Sequence, residues 1–146
     1  RTSKNLSRIA GKFFGKRSER PMTKRLYGLR GATGAENTAE SITKGVCDMC
    51  TSLFKLNNIS PEDVVSIQFT MTQDLDAKNP AAALRCGQNE IDVSACALFC
   101  SQEAAVRGMA KGMIRVLVTA YMDEGASVRH VYINGAETLR PDFSGE

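Results

Sequence analysis

The residues GMIRVLVTAYM, at positions 112–122, decide which kind of fold this chain can adopt. Apolar side chains occupy both alternating faces of this run, which is typical of a central strand covered on both sides. One charged residue, Arg115, interrupts it. A guanidinium within a central strand is costly unless a partner or a ligand meets it. The sequence therefore predicts either a buried ion pair, with an acid such as Glu103, or a ligand-binding site at Arg115.

The residues before this strand predict a sheet packed against a long helix. Residues 24–30 are typical of a strand that breaks at the small residues 31–34. Asn37, with an acid three residues later, is expected to cap a helix that runs to about residue 56. Strict alternation of apolar and polar residues over 65–72 predicts a second strand with one buried face.

The remaining elements are shorter. We predict, in chain order, a helical turn from Pro61, a short helix over 81–85, a strand over 95–100, a helical turn over 102–108, a strand over 129–133 and a last short strand that ends at Arg140. This order predicts an α/β (α+β-like) fold, in which a mixed β-sheet packs on one long helix and several short helices.

The net charge of +3 is distributed unevenly. Residues 1–25 carry nine Lys or Arg and one Glu, a net charge of +8, whereas residues 26–146 have a net charge of −5. We therefore divide the chain into a basic N-terminal extension, residues 1–23, and one domain, residues 24–146, which is not expected to bind nucleic acid. Basic residues at four-residue spacing predict an amphipathic helix in the extension, compatible with organellar targeting, a membrane surface, a linker or a solvated tail.

The five cysteines are expected to be reduced thiols in a cytoplasmic protein. The pairs Cys47–Cys50 and Cys96–Cys100 raise a zinc hypothesis, which we do not favour because the first pair falls within a helical pattern and neither pair borders a Gly-rich knuckle. No stretch is long and apolar enough to span a membrane. The sequence also lacks the motifs typical of hydrolases, kinases and dehydrogenases, so an enzyme here is expected to use no metal and no cofactor.

Three arginines of the domain lie at the ends of predicted elements, next to loops. These are Arg30, Arg85 and Arg140. Ligand-binding residues are often found at such positions, although each arginine taken alone is more often a surface residue. Several guanidinium groups that converge would suit a substrate with two carboxylates.

Several short motifs, taken in order, resemble a known family over residues 24–143. They are Arg30-Gly31-Ala32-Thr33, Cys100-x-x-Glu103, Ile114-Arg115-Val116, Arg129-His130-Val131-Tyr132 and Leu139-Arg140-Pro141-Asp142. The chain is similar in these residues to the AroH-class chorismate mutases, which are monofunctional and trimeric. The resemblance implies a pseudo-barrel homotrimer with active sites at the subunit interfaces. It also implies an isomerase that converts chorismate to prephenate by a cofactor-free Claisen rearrangement, a step of aromatic amino acid biosynthesis in the shikimate pathway.

The resemblance also implies roles for individual residues. Arg115, Glu103 and Arg30 match the catalytic positions: Arg115 would meet the ether oxygen, Arg30 would hold a carboxylate near it, and Glu103 would accept the ring hydroxyl. The only histidine, His130, is expected to point away from this site. The positions that match substrate-binding residues are Tyr132, Cys100, Arg85, Arg140, Leu139, Phe99 and Ala81.

Two other functions are compatible with this reading. A trimeric Rid-type imine deaminase has a similar subunit fold and an arginine that clamps a carboxylate. A non-catalytic trimer that binds a small molecule would explain why the chain differs from the family pattern at Asn79, Ala82 and Phe99. Incubation with chorismate distinguishes all three.

Overall fold

A computed structural model describes residues 23–87 and 90–143. The predicted basic extension over residues 1–23 lies outside this part, apart from Thr23. In the described ranges, no helix has the length and hydropathy needed to cross a bilayer.

The fold is the predicted mixed sheet with one long helix. The elements are β1 (Lys24–Gly34), α1 (Ala39–Leu56), β2 (Val64–Met71), α2 (Pro80–Cys86), β3 (Ala97–Gln102), β4 (Met113–Asp123) and β5 (Val131–Ile133), with 3₁₀ helices at Pro61–Asp63, Ala136–Leu139 and Pro141–Phe143. The strands are ordered β3-β2-β4-β1-β5, so the apolar run that contains Arg115 is the central strand. β4 is antiparallel to both neighbours, whereas β5 is parallel to β1 and β3 is parallel to β2.

The two faces of the sheet differ. On one face, Ile114, Val116 and Val118 of β4 are buried against α1, whose own buried residues include Val46 and Met49. On the opposite face, which we call the open face, Leu117 is 41% exposed. The expectation that both faces of β4 are covered is therefore wrong for this chain by itself, because α1 covers only one of them.

The start of α1 differs from the prediction by one residue. Thr38, not Asn37, caps the helix, since its Oγ1 accepts a hydrogen bond from Ser41 N at 3.1 Å. The Asn37 side chain instead accepts hydrogen bonds from the backbone N–H groups of Asp76 and Ala77, both at 2.9 Å. It thereby ties the loop before α1 to the loop after β2.

The side chain of Asn57, just after α1, holds the segment that leads into β5. Its Oδ1 accepts from Arg129 N and its Nδ2 donates to Arg129 O, both at 2.8 Å. Nδ2 also donates to Leu53 O. Because Asn57 is buried and pairs with both backbone groups of Arg129, it fixes the position at which the chain reaches the sheet.

Three secondary-structure predictions are wrong. β1 does not break at residues 31–34 but continues through them, because this segment pairs with β4 on one side and β5 on the other. The small residues there permit close packing: a Cβ on Gly31 would lie 2.9 Å from Val116 Cγ1. Residues 103–108 form a loop after β3 instead of a helical turn, and residues 136–139 form a 3₁₀ helix instead of a strand.

The cysteines are all free thiols. Cys47 and Cys50 lie in α1 and are buried, and burial raises the pKa of the Cys50 thiol. Across residues 23–87 and 90–143, no group of three or more His, Cys, Asp or Glu is arranged to hold a metal ion. The zinc hypothesis therefore has no ligand set in the described residues.

Candidate active site

A cavity of about 420 Å³ lies on the open face of the sheet. Four strands and the C-terminal segment contribute to its wall. The lining residues include Arg30, Ala32, Gln68, Thr70, Arg115, Leu117, Tyr132, Leu139 and Arg140. Three guanidinium groups therefore share one cavity, which suits a ligand that carries more than one negative charge.

Strand register explains how these residues meet. Thr70 on β2 is paired with Arg115 on β4, which is paired with Ala32 on β1, which is paired with Tyr132 on β5. Because paired residues point to the same face of a sheet, this row of four residues runs across the floor of the cavity. The small side chain of Ala32 leaves space between Arg115 and Tyr132.

Arg115 makes an ion pair with Glu103 and also lines the cavity. Its Nη1 binds Glu103 Oε1, which also accepts a hydrogen bond from Thr70 Oγ1 at 2.8 Å. The side chain of Glu103 is only 10% exposed, whereas that of Arg115 is 27% exposed. Glu103 Oε2 is buried and has no hydrogen bond to any of the described residues. The two predictions for Arg115, an ion pair and a ligand site, are therefore compatible.

Arg30 reaches the cavity from β1, and its backbone is held by the only histidine. Arg30 N donates to His130 Nδ1 at 3.0 Å. His130 is not among the residues that line the cavity, and the expectation that it points away from the site stays a prediction. Partial burial, together with the charges of Arg30 and Arg140, lowers the pKa of His130.

The C-terminal segment closes one side of the cavity with Leu139 and Arg140. The Arg140 guanidinium donates two hydrogen bonds to Asp142, from Nε to Oδ1 at 2.9 Å and from Nη2 to Oδ2 at 2.7 Å. This bidentate contact lowers the pKa of the Asp142 carboxyl. Arg140 is thereby held at the edge of the cavity by its own chain neighbour.

Five sequence-predicted site residues are not among those that line this cavity. Glu103 contacts Arg115 and Thr70, which do line it, but itself lines a neighbouring depression of about 440 Å³. Cys100 is paired with the buried Phe69 and packs against the core, so it lies on the face opposite the open face. Ala81 and Arg85 lie on α2, and the Arg85 side chain is exposed. Phe99, 65% exposed, lies on edge strand β3.

The sequence analysis missed two polar residues of the cavity, Gln68 and Thr70. Both belong to the polar half of the alternating strand β2, where polar residues are ordinarily solvent-exposed. The sequence did contain a signal for these two residues, because the strand that carries Arg115 is predicted to be central and therefore has a neighbouring strand on each side. A polar residue paired with Arg115 has to lie beside the guanidinium.

A larger depression, of about 510 Å³, lies near the start of α1 and is lined by Lys44 and Lys111 among others. It is more open, and Lys44 is paired there with Asp48 at 2.5 Å. We therefore place the candidate active site in the cavity on the open face, where the arginines and a buried carboxylate meet.

The chain is a small α+β protein whose arginines and one largely buried carboxylate meet at the open face of its sheet, an arrangement suited to a small anionic molecule. The sequence pattern of the chorismate mutase type I family matches residues 26–143, and the chain belongs to this family. The resemblance noted in the sequence is thereby confirmed.

Individual proteins that carry the family's name are also similar to this chain over most of its length. Chorismate mutase AroH of Bacillus subtilis (strain 168) is 37% identical over 123 residues, which cover 82% of this chain and 93% of that protein. Chorismate mutase AroH of Thermus thermophilus is 36% identical over 119 residues, 80% of this chain and 94% of that protein. A solved chorismate mutase from Clostridium thermocellum superposes with a TM-score of 0.70 at 35% identity, over 77% of this chain and 99% of the other.

The contact between His130 and Arg30 predicts a pH dependence of stability. The folded state lowers the pKa of His130 below its ordinary value of 6.5. As pH falls below about 6.5, the unfolded chain takes up a proton that the folded chain does not, so the free energy of unfolding decreases until the pH passes the folded pKa. Substituting His130→Asn keeps an acceptor for Arg30 N and removes this dependence.

Thermal unfolding of both proteins between pH 7.5 and 5 measures the effect. We expect the Tm of the native protein to fall relative to that of His130→Asn by at most about 3 °C, because the ring is only partly buried and solvent screens its charge. A constant difference between the two Tm values across this range would contradict the prediction.

Proposed function

We propose that this protein is a chorismate mutase, an isomerase that converts chorismate to prephenate for the biosynthesis of phenylalanine and tyrosine. The observation that carries the proposal is the Arg115 guanidinium, which lines the arginine-rich cavity while its partner Glu103 is buried beside it. The family membership of residues 26–143 supports assigning the activity to the domain over residues 24–146. Five free thiols support a reducing compartment such as the cytoplasm.

The reaction needs positioning and fixed charge. Chorismate is a dicarboxylate whose ether bond breaks as a carbon–carbon bond forms within the same molecule, so no external nucleophile takes part. An enzyme accelerates such a step by holding the compact conformer and by presenting charges that match the transition state. A millionfold acceleration requires roughly 8 kcal/mol. One preorganised donor at a developing oxyanion supplies roughly 3–4 kcal/mol.

Each charged residue has a proposed role. Arg115 stabilises the negative charge that develops on the ether oxygen, and Arg30 holds a carboxylate close to the same oxygen. Glu103 accepts a hydrogen bond from the ring hydroxyl through Oε2, which has no hydrogen bond to the described residues. Tyr132 and Arg140, with Leu139, form the wall that receives the second carboxylate.

The remaining site residues are proposed to come from a neighbouring subunit. Arg30 and Tyr132 lie toward the β1–β5 edge of the sheet, whereas Phe99 and Cys100 lie on β3 at the opposite edge. The helix α2, which carries Ala81 and Arg85, packs on β2 and β3. An interface that joins one edge to the opposite edge is heterologous, and such interfaces form rings when the rotation between neighbouring subunits closes. This supports a pseudo-barrel homotrimer with the active site at each interface, which light scattering at micromolar concentration would test.

Subunit mixing tests the shared site directly. Arg85→Ala is expected to raise KM about tenfold with little change in kcat, because Arg85 would contact the substrate at the cavity mouth. In trimers that mix Arg85→Ala and Arg115→Ala subunits at random, about one site in four combines two native halves. We therefore expect about a quarter of the native kcat/KM. If each site belonged to one subunit, the kcat/KM of the mixture would be only the average of the kcat/KM values of the two unmixed variants.

The activity itself is tested by following the loss of chorismate absorbance. Catalysed loss with formation of prephenate supports the proposal. Hydrolysis of an imine without loss of chorismate would favour a Rid-type deaminase, and binding without turnover would favour a small-molecule-binding trimer. Either result would overturn the proposed activity.

A further inference from the structure

The two oxygens of the Glu103 carboxylate have different surroundings. Oε1 accepts from both Arg115 Nη1 and Thr70 Oγ1. Oε2 is buried and has no hydrogen bond to the described residues. A carboxylate held by one cation alone can rotate and exchange its oxygens, so a second contact is needed to fix which oxygen remains available.

Thr70 is held in place to provide this second contact. It lies in β2, paired with Arg115 on one side and with Ser101 of β3 on the other. Its branched side chain has restricted rotation about χ1, so the hydroxyl has few alternative directions. Glu103 follows β3 directly, and its backbone N–H donates to Met71 O at 2.8 Å. The backbone of Glu103 and the hydroxyl that binds its side chain are therefore both anchored to β2.

We infer that Thr70 is a positioning residue for the reaction: its hydroxyl holds Glu103 Oε1 toward Arg115 and leaves the buried Oε2 as the oxygen that accepts a hydrogen bond from the substrate. The inference rests on the proposed function and goes beyond it, because it concerns a residue that need not contact the substrate. Without the hydroxyl, the carboxylate would rotate toward a symmetric contact with Arg115. It would then withdraw Oε2 from the ring hydroxyl and neutralise more of the guanidinium charge that the transition state requires.

Two substitutions separate the hydroxyl from the shape of the side chain. Thr70→Val keeps the branched shape and removes the hydroxyl, whereas Thr70→Ser keeps the hydroxyl and removes a methyl group. We expect Thr70→Val to lower kcat about tenfold, equivalent to about 1.4 kcal/mol. Thr70→Ser is expected to stay within about threefold of the native kcat. Thr119→Val, on the same face but outside the cavity lining, serves as the matched control.

The role of Thr70 acts through Glu103, so it is tested in a double-mutant cycle. In a Glu103→Ala background, Thr70→Val should change kcat by less than about twofold, because the group it positions is absent. A tenfold loss that persists in this background would contradict the inference, as would a Thr70→Val protein with native kcat or a Thr70→Ser protein as impaired as Thr70→Val. If Thr70→Val does not fold, Thr70→Ala is compared with Thr70→Ser in its place.

Failure of this inference and failure of the proposed function are distinguishable. Native protein that does not convert chorismate overturns the proposed function. Native protein that converts chorismate, together with a fully active and folded Thr70→Val variant, overturns only the role of Thr70.

Discussion

Replacement of Arg115 by alanine is expected to lower kcat by roughly 100- to 1000-fold, the loss measured when one donor to a developing oxyanion is removed. The fall in kcat should be much larger than any rise in KM, because the interaction is made chiefly in the transition state. Arg115→Gln should be nearly as damaging as Arg115→Ala, since the reaction needs the charge. Arg115→Lys should recover only part of the rate, because a point charge cannot reproduce the planar guanidinium.

The ion pair with Glu103 provides the competing explanation. If Arg115 only neutralised Glu103, its removal would leave a buried carboxylate and would cost roughly 3–5 kcal/mol of stability without a selective loss of kcat. Thermal unfolding and steady-state kinetics on the same variant decide between the two. Arg25→Ala is the matched control, because Arg25 lies on β1 and is paired with Met122 of β4, but its guanidinium stacks on Tyr27, with its Cζ 4.9 Å from the ring centroid. An active but destabilised Arg115→Ala protein would refute the catalytic role.

The second large effect is expected at Gly34, the last residue of β1. A Cβ at this position would overlap the backbone oxygen of Asn134, which cannot move without its chain. Asn134 is also tied to β1 through a hydrogen bond from its Nδ2 to Thr33 Oγ1 at 3.0 Å. Gly34→Ala should therefore displace the segment that carries Leu139 and Arg140. We expect a loss of roughly 3 kcal/mol of stability and, because the site wall moves, about a hundredfold loss of kcat/KM.

Gly28→Ala is the matched control in the same strand. A Cβ on Gly28 would lie 3.6 Å from Leu117 Cδ1, an ordinary van der Waals distance. Its free energy of unfolding should stay within about 0.5 kcal/mol of the native value. Chemical denaturation and kinetics of the two alanine variants test the comparison. Equal stability of the two would show that the turn at Asn134 adapts without cost.

The sequence predicted the fold wherever a pattern had one structural meaning. The apolar run around Arg115 could only be a central strand, and the alternation in β2 could only be a half-buried strand. The predictions failed where tertiary contacts decided the outcome. Residues 31–34 are small enough to suggest a turn, but they extend β1 because β5 pairs with them. Thr38 and Asn37 are both good caps, and only the contact with the loop after β2 selects Thr38.

The candidate site was predictable to the extent that its residues are unusual. A charge within an apolar strand singles out Arg115, and family motifs add Glu103. Thr70 carries no such signal, because a threonine on the polar face of a strand is ordinary. The location of Cys100 on the face opposite the open face could not be predicted either, since the register of β3 against β2 depends on long-range pairing.

The shortness of β5 has a dynamic consequence. This strand has three residues, whereas β1 and β4 have eleven each. Local opening free energies are lowest where few backbone hydrogen bonds and few buried contacts must be broken together. The part of the cavity wall formed by β5 is therefore expected to open locally without the rest of the sheet, and its amide protons should exchange faster than those of the β1–β4 ladder. A ligand that contacts both Arg140 and Arg115 would connect the C-terminal segment to the central strand and is expected to slow this exchange.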